Sequence, residues 1–395
     1  MAIRYEREWW LTVSDDLTVV DSSIIVRGEK IGDMHMGHAP HLDGSTIRVH
    51  VQDNGRAVLR FQNEMEAAQA FCLLPKIVMT GNVYRELVGS GPGCIIGVPA
   101  GNSRTLTIFG GPHVVPRAVD MDLDIVAGGS NMTSYNVASN QGIVKQWQDD
   151  RAYAQINIRF PLTAAGQLGQ SDDLVACGQR DTIARTDARM SAPAVIAHIQ
   201  ASKLTGVVAT CDTQRSVALV VAQNYTYAEP GGMCVFDGAL GIQRMIPFPG
   251  MKSAELQSMK IGMHPSGRWA VAYSLNTILM IDLDAPKDHM RSGRLKCQMP
   301  AACRGVLRDA AMFDATLTNQ VGLVACWDDG TTAVWYLDRA NRHGIVKQSA
   351  HSIDYPVHVL CTSRANPCQV VVGLKPDKNG QSIVTAVTFD GDIEV

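Results

Sequence analysis

The chain has 395 residues, 46% hydrophobic and 18% charged, which supplies a large core and excludes a disordered protein. Thirty-five Lys and Arg stand against 38 Asp and Glu, a formal charge of -3, and no short window is dominated by Lys or Arg, so the electrostatic footprint of a nucleic-acid binder is absent. The charged N-terminus MAIRYEREWW lacks the apolar stretch of a signal peptide, and apolar runs such as Val217 to Ala222 are too short to span a bilayer. An intracellular protein, cytoplasmic or nuclear and without membrane contact, is expected.

From end to end the sequence repeats one unit: a short apolar or β-branched run, a polar turn, and a second run, the pattern that antiparallel hairpins write. Trp9 to Asp21, WWLTVSDDLTVVD, is expected to supply the strand that completes the last sheet. His35-Met-Gly-His38-Ala-Pro-His41 puts three imidazoles at every third position and is read as a surface loop in preference to a Zn²⁺ or Cu²⁺ site. Asn54-Gly55 marks a hairpin. Asn63 to Leu74 reads as a helix, with Asn63 and Glu66 resembling a capping box and Pro75 as its stop.

Gly89-Ser-Gly-Pro-Gly93 lacks the G-x-G-x-x-G spacing and is followed by CIIGV, a strand in place of the helix that a phosphate loop needs, so a strand-to-strand turn is expected. Asp120-Met-Asp-Leu-Asp124 sets three carboxylates on one side of an extended segment, a solvated face in preference to a cation site. Weaker hairpins centre on Asn102, Asn131, Asp181 and Asp212. Asn131-Met-Thr133 and Asn224-Tyr-Thr226 match a glycosylation triplet and, without an export signal, are read as chance.

The clearest unit is Ile261 to Asp284: a strand ending at His264-Pro-Ser-Gly267, a second over Trp269 to Tyr273, a turn at Ser274 to Thr277, and a third over Ile278 to Leu283. Val321 to Asp338 follows, reversing at Asp328-Asp329-Gly330, and Val370 to Gly391 reverses at Asn379-Gly380. The pentapeptide Gly142-Ile-Val-Lys-Gln146 recurs as Gly344-Ile-Val-Lys-Gln348, an echo consistent with duplication. The ten cysteines sit mostly in apolar runs without a C-x-x-C pair, as reduced core residues do. Eight turn centres, at 54, 102, 131, 181, 212, 276, 329 and 379, average about 46 residues apart, near the ~40–45 residues of a four-stranded propeller blade.

Ala325 to Asp338, ACWDDGTTAVWYLD, resembles the second strand, Asp-Gly turn and third strand of a WD-repeat blade, with Tyr336-Leu-Asp338 and Ile281-Asp-Leu-Asp284 where the family ends in Trp-Asp. The family's Gly-His pair is mostly missing, although His351 precedes the final blade at the matching position. The resemblance is closest over residues 251–395, looser over 85–250 and weakest before that. It implies an all-β fold: one closed β-propeller of four-stranded antiparallel blades over residues 1–395, with seven blades favoured and eight the alternative. It also implies a rigid disc that binds peptides or protein surfaces on the face carrying the turns between second and third strands.

The function expected is a non-catalytic scaffold or adaptor within a multiprotein complex. No catalytic, cofactor or metal residue is assigned, and neither a G-x-S-x-G elbow nor a His-Glu-x-x-His helix is present. Asp328 and Asp329 are read as turn residues before acid and base. Trp269 and Trp335 are expected in the core, whereas Trp147, Arg180, Asp181, Trp327 and Asp328 are expected to form a partner-binding rim, since exposed aromatic and Arg side chains carry much interface energy. One alternative is a propeller hydrolase or lactonase with a metal in the central channel, which needs two or more of Asp122, Asp124, Asp181, Asp212 and Asp329 to converge. Another is a structural subunit of a large assembly, marked by apolar patches above roughly a few hundred Å².

Overall fold

The computed structural model describes the chain from Tyr84 to Thr388 apart from short segments, the longest being 223–230, 286–293, 339–346 and 375–381; before Tyr84 it describes the backbone of seven strands. The fold is all-β, built among the described residues from three- and four-stranded antiparallel sheets with almost no helix. Strands β1 (Glu8–Thr12), β2 (Leu17–Val20), β3 (Ser23–Val26), β4 (Glu29–Asp33), β5 (Arg48–Gln52) and β6 (Arg56–Arg60) form two three-stranded antiparallel sheets, ordered β1-β6-β5 and β2-β3-β4. β7 (Val78–Thr80) comes next in the chain.

Seven four-stranded sheets follow among the described residues. The first holds β8 (Tyr84–Gly89), β9 (Cys94–Pro99), β10 (Thr105–Gly110) and β11 (His113–Asp120), and the second β12 (Ile125–Ser130), β13 (Ser134–Ser139), β14 (Ile143–Gln148) and β15 (Arg151–Asn157). The third holds β16 (Ala164–Gln167), β17 (Leu174–Cys177), β18 (Thr182–Arg185) and β19 (Val195–His198), and the fourth β20 (Ser202–Thr210), β21 (Ser216–Ala222), β22 (Gly231–Phe236) and β23 (Ile242–Pro247). After a short helix α1 (Ser253–Ser258), the fifth holds β24 (Lys260–Met263), β25 (Trp269–Ser274), β26 (Thr277–Asp282) and β27 (Arg294–Lys296). The sixth holds β28 (Leu307–Asp314), β29 (Gln320–Trp327), β30 (Thr332–Asp338) and β31 (Lys347–His351); the seventh holds β32 (Val357–Thr362), β33 (Gln369–Leu374) and β34 (Ser382–Thr388). In each sheet sequential strands are antiparallel neighbours.

The middle strands are apolar runs because both of their faces are covered. Every residue of β25 is buried, as are all but the first of β29, whereas the outermost strand β19 alternates half-buried and exposed. The apolar clusters lie between consecutive sheets. Val144 and Ile156 of the second meet Leu174 and Ala184 of the third, Met280 and Tyr273 of the fifth meet Leu323 and Trp335 of the sixth, and Phe313 and Val334 of the sixth meet Val357 and Val372 of the seventh. The first strands carry these junctions: β8 packs on β12, β12 on β16, β16 on β20, β20 on β24, β24 on β28, β28 on β32, and β32 on β8.

The hairpins around Asn54, Asn102, Asp181, 276, Asp329 and 379 fall between paired strands as expected. Asn131 and Asp212 fall between the first and second strands of their sheets, whereas the other turns from 102 onward join the second strand to the third. The segments equivalent to those are 140–142 and 223–230, the latter outside the described residues. The strand that completes the seventh sheet is also different from the one expected. Met79 of β7 pairs with Ile383 of β34, while Trp10 pairs with Val58 and Val19 with Ile24, so the segment from Trp9 is occupied by its own local sheets. The repeated pentapeptide is not structurally equivalent, since Ile143 opens the third strand of its sheet and Lys347 opens the fourth strand of its own. The helix at Asn63 to Leu74, the triplets at Asn131 and Asn224, and the imidazoles of His35, His38 and His41 lie outside the described residues.

Candidate interaction site

Two turns between second and third strands carry most of the expected rim. In the third sheet, Arg180 and Asp181 bridge β17 and β18. Their backbone carbonyls accept from Leu204 N at 2.8 Å and Ile199 N at 2.7 Å, which pins the turn to the connection entering the fourth sheet. Asp181 Oδ1 accepts from Thr182 Oγ1 at 3.1 Å, and its Oδ2 stands 3.8 Å from His198 Nδ1. The Arg180 side chain is exposed.

In the sixth sheet, Asp328-Asp329-Gly330 reverses the chain between β29 and β30, with Gly330 at φ 90°, a conformation that L side chains rarely adopt. Asp328 Oδ1 accepts from Val306 N at 2.7 Å and Asp329 Oδ2 from Gly305 N at 2.9 Å, so both carboxylates hold the segment that leads into β28. Gly305 is required there, because a Cβ would collide with Asp328 Oδ1. Arg308 stands 3.4 Å from Asp328 Oδ2. These two carboxylates brace a loop, as a turn reading expects.

The two tryptophans do not join this rim. Trp327 is 1% exposed; its backbone N–H donates to Thr331 O at 3.0 Å to close the turn, and its ring lies 6.3 Å from that of Trp335 in the core between the fifth and sixth sheets. A strand end beside a loop was the reason to expect it outside, but side-chain direction, not chain position, decides burial. Trp147 packs against Val98, Leu106 and Ile125, at the end of β14 opposite the turn that joins β13 to β14. Trp269 and Trp335 are in the core as expected.

The carboxylates of the hydrolase alternative are occupied separately. Asp122 Oδ2 lies 2.5 Å from Lys145 Nζ, and that bond holds its carboxyl below the ordinary carboxylate value; Asp124 Oδ1 lies 3.1 Å from Arg104 Nε; and Asp120 accepts from Thr105 Oγ1 at 3.1 Å. Between them Met121 and Leu123 are buried, so the alternation read in the sequence is present, in a bend between β11 and β12. Asp212 lies outside the described residues. Among the described residues no three His, Cys, Asp or Glu side chains cluster as metal ligands would, and no helix is long and apolar enough to cross a membrane.

Four buried thiols stay protonated at neutral pH. Burial pushes Cys177, Cys234 and Cys297 up to about 12, and Cys326 further. Cys177, Cys234, Cys297 and Cys326 are buried and form no disulfide.

Sequence reasoning passed over one polar junction. Asp309, on the first strand of the sixth sheet, accepts from Tyr273 OH of the fifth and, at 2.9 Å, from Leu360 N of the seventh. Burial first, then the charge of Asp309, raises the Tyr273 phenol well above its ordinary value, so it stays a donor. The signal available was an acid, Asp309, directly ahead of the apolar run AAMF in the strand LRDAAMFD. No protein-family model matches the chain, and no curated protein sequence matches it.

Proposed function

We propose that the chain is a seven-bladed β-propeller of the WD-repeat type with degenerate repeats, acting as a non-catalytic scaffold or adaptor that holds a peptide or protein partner on its turn-bearing face within an intracellular complex. The observation that carries the fold is the run of contacts from β8 through β12, β16, β20, β24 and β28 to β32 and back to β8, with β7 from before the first sheet completing the last. Such closure covers the apolar faces that a row of sheets otherwise leaves exposed at its two ends, and leaves only the short outer edges of the sheets unpaired. Seven four-stranded sheets favour seven blades over eight.

Support for a binding role is the exposed Arg180 beside Asp181 on a turn anchored by two backbone bonds, a rigid mount for a contact residue. Carboxylates consumed in bracing turns or in separate ion pairs favour binding over channel chemistry. The buried thiols of Cys177, Cys234, Cys297 and Cys326, in no disulfide, favour a reducing compartment, the cytoplasm or nucleus.

The test is purification of the tagged protein from its native cells under mild conditions, with companions identified by mass spectrometry and bound metal quantified in the same sample. A constant stoichiometric partner, lost on Arg180→Glu without change in the circular dichroism spectrum, is the expected result. A partner-free protein carrying an ion would overturn the scaffold reading in favour of a metal-dependent hydrolase or lactonase.

A further inference from the structure

Among the described residues, the outermost strand of each four-stranded sheet pairs on one side only. Over β7, β11, β15, β19, β23, β27 and β31 the sequence holds six Lys or Arg, namely Arg117, Arg151, Arg244, Arg294, Lys296 and Lys347, against one acid, Asp120. The chain as a whole carries a formal charge of -3, so charge is segregated: the sheet edges are basic while the rest is acidic. Charged edges protect sheets from aggregation, but carboxylates serve that purpose as well as amines do, and protection does not account for the apolar side chains exposed on the same strands.

Those side chains gather on three consecutive sheets. Tyr153 on β15, Ile196 on β19, and Ile242 and Met245 on β23 are 43 to 51% exposed, and Met190, in the loop before β19, is 47% exposed. Two hydrogen bonds tie these regions together: Asn157 N, at the end of β15, donates to Ser191 O at 3.2 Å, and the Arg185 guanidinium donates to Gly238 O, in the turn that leads into β23. The loop before β19 is thus bonded to the end of β15, and β18, which pairs with β19, is bonded to the turn that opens β23. Arg189 is exposed beside Met190, and Arg159, held at φ 65° with its N–H on Asn157 Oδ1 at 2.9 Å, is exposed beyond β15. β15, β19 and β23 contain no Asp or Glu at all.

We propose that the outer edges of the second, third and fourth sheets form a docking surface for an extended protein segment that alternates acidic and apolar residues and adds as a strand along β19. The open N–H and C=O groups of an edge strand are matched by another backbone and not by a lipid headgroup, which decides between a peptide and an anionic membrane. Acidic side chains of the segment answer Arg189 and Arg159, and its apolar ones cover Ile196 and Ile242. This surface needs only the sheet edges and is independent of the turn-bearing face and of ring closure.

The full-length protein is panned against a displayed library of random short peptides, and enriched sequences are measured by fluorescence anisotropy against the wild type, Arg189→Glu, Ile196→Lys, and Leu275→Lys as a control at an exposed apolar turn position outside the patch. The expected result is enrichment of alternating acidic and apolar sequences, with affinity weakened by roughly tenfold or more in Arg189→Glu and Ile196→Lys, unchanged in Leu275→Lys, and falling with added salt. No enrichment, basic sequences, or equal loss in the control overturns the proposal. So does binding to phosphatidylserine vesicles that the two patch variants abolish while no peptide binds. A native partner lost on Arg180→Glu but kept by Ile196→Lys, with no peptide enriched, overturns this surface and leaves the scaffold reading standing.

Discussion

Every strand of the third sheet is four residues long, whereas the first three strands of the sixth run to eight, eight and seven. The side chains differ in the same sense. The third sheet buries Ala165, Ala176, Ala184 and Cys177, and the sixth buries Met312, Phe313, Trp327 and Trp335, with Phe313 and Tyr336 packed edge to face at 6.0 Å. Stabilisation from burial scales with apolar area, at about 25 cal/mol per Å², so the sixth sheet is held to its neighbours by its core. The third joins a smaller apolar core, Leu174, Val175 and Ile183 among it, with directed bonds. Arg185 grips Asp173 at 2.6 Å and the Gly238 carbonyl of the fourth sheet, and Thr163 Oγ1 donates to Gly206 O of β20 at 2.8 Å. Small side chains leave room for polar clamps, and the clamps replace area that alanines do not supply.

The largest expected effect lies in the sixth sheet. Trp335→Ala should cost about 3–5 kcal/mol in urea unfolding, by lost transfer energy and a cavity beside Trp327; a cost under about 1 kcal/mol would mean that the long strands are not what holds this sheet. Asp309→Ala comes next, at about 2–3 kcal/mol, since it strands the Tyr273 hydroxyl and the Leu360 N–H at the junction of three sheets. Tyr273→Phe alone should cost less, and a double-mutant cycle should show coupling between the two; additive costs would refute a shared junction.

In the third sheet, Arg185→Met should cost about 1–2 kcal/mol and raise amide hydrogen exchange in β18 and the 237–241 turn while leaving the sixth sheet protected. Uniform loss of protection would erase the contrast between the two regions. The smallest effect is at the exposed Asp122–Lys145 pair. Because the bond to Lys145 lowers the Asp122 carboxyl in the folded state, its contribution is present above the ordinary carboxylate value and disappears as pH falls through the lowered one. Asp122→Asn should therefore differ slightly from wild type in melting temperature at neutral pH and converge with it in acid; a gap that widens in acid would contradict the assigned direction.

The strands of the fifth sheet were legible almost to the residue, since Trp269–Ser274 and Thr277–Asp282 are buried runs divided by a two-residue turn. The turns at Asn131 and Asp212 were legible as turns but not as to which pair of strands they join, because a turn signal is local and carries no strand number. The rim was read less well. Arg180 and Asp181 stand on an exposed turn as expected, yet Trp327 faces the core, and the Asp309 junction is formed by residues separated by 36 and 51 positions.

What the sequence by itself determined is the all-β class, the hairpin alternation and the burial of cysteines such as Cys177, Cys234 and Cys326, since each follows from which residues a pleated, covered strand accepts. What only the tertiary structure decided is which strand completes the seventh sheet, which carboxylates are spent on bracing turns, and which edges stay open. Those depend on backbone pairings such as Met79 with Ile383, where any residue with a free N–H and C=O serves equally well, so side-chain identity leaves no mark of the choice.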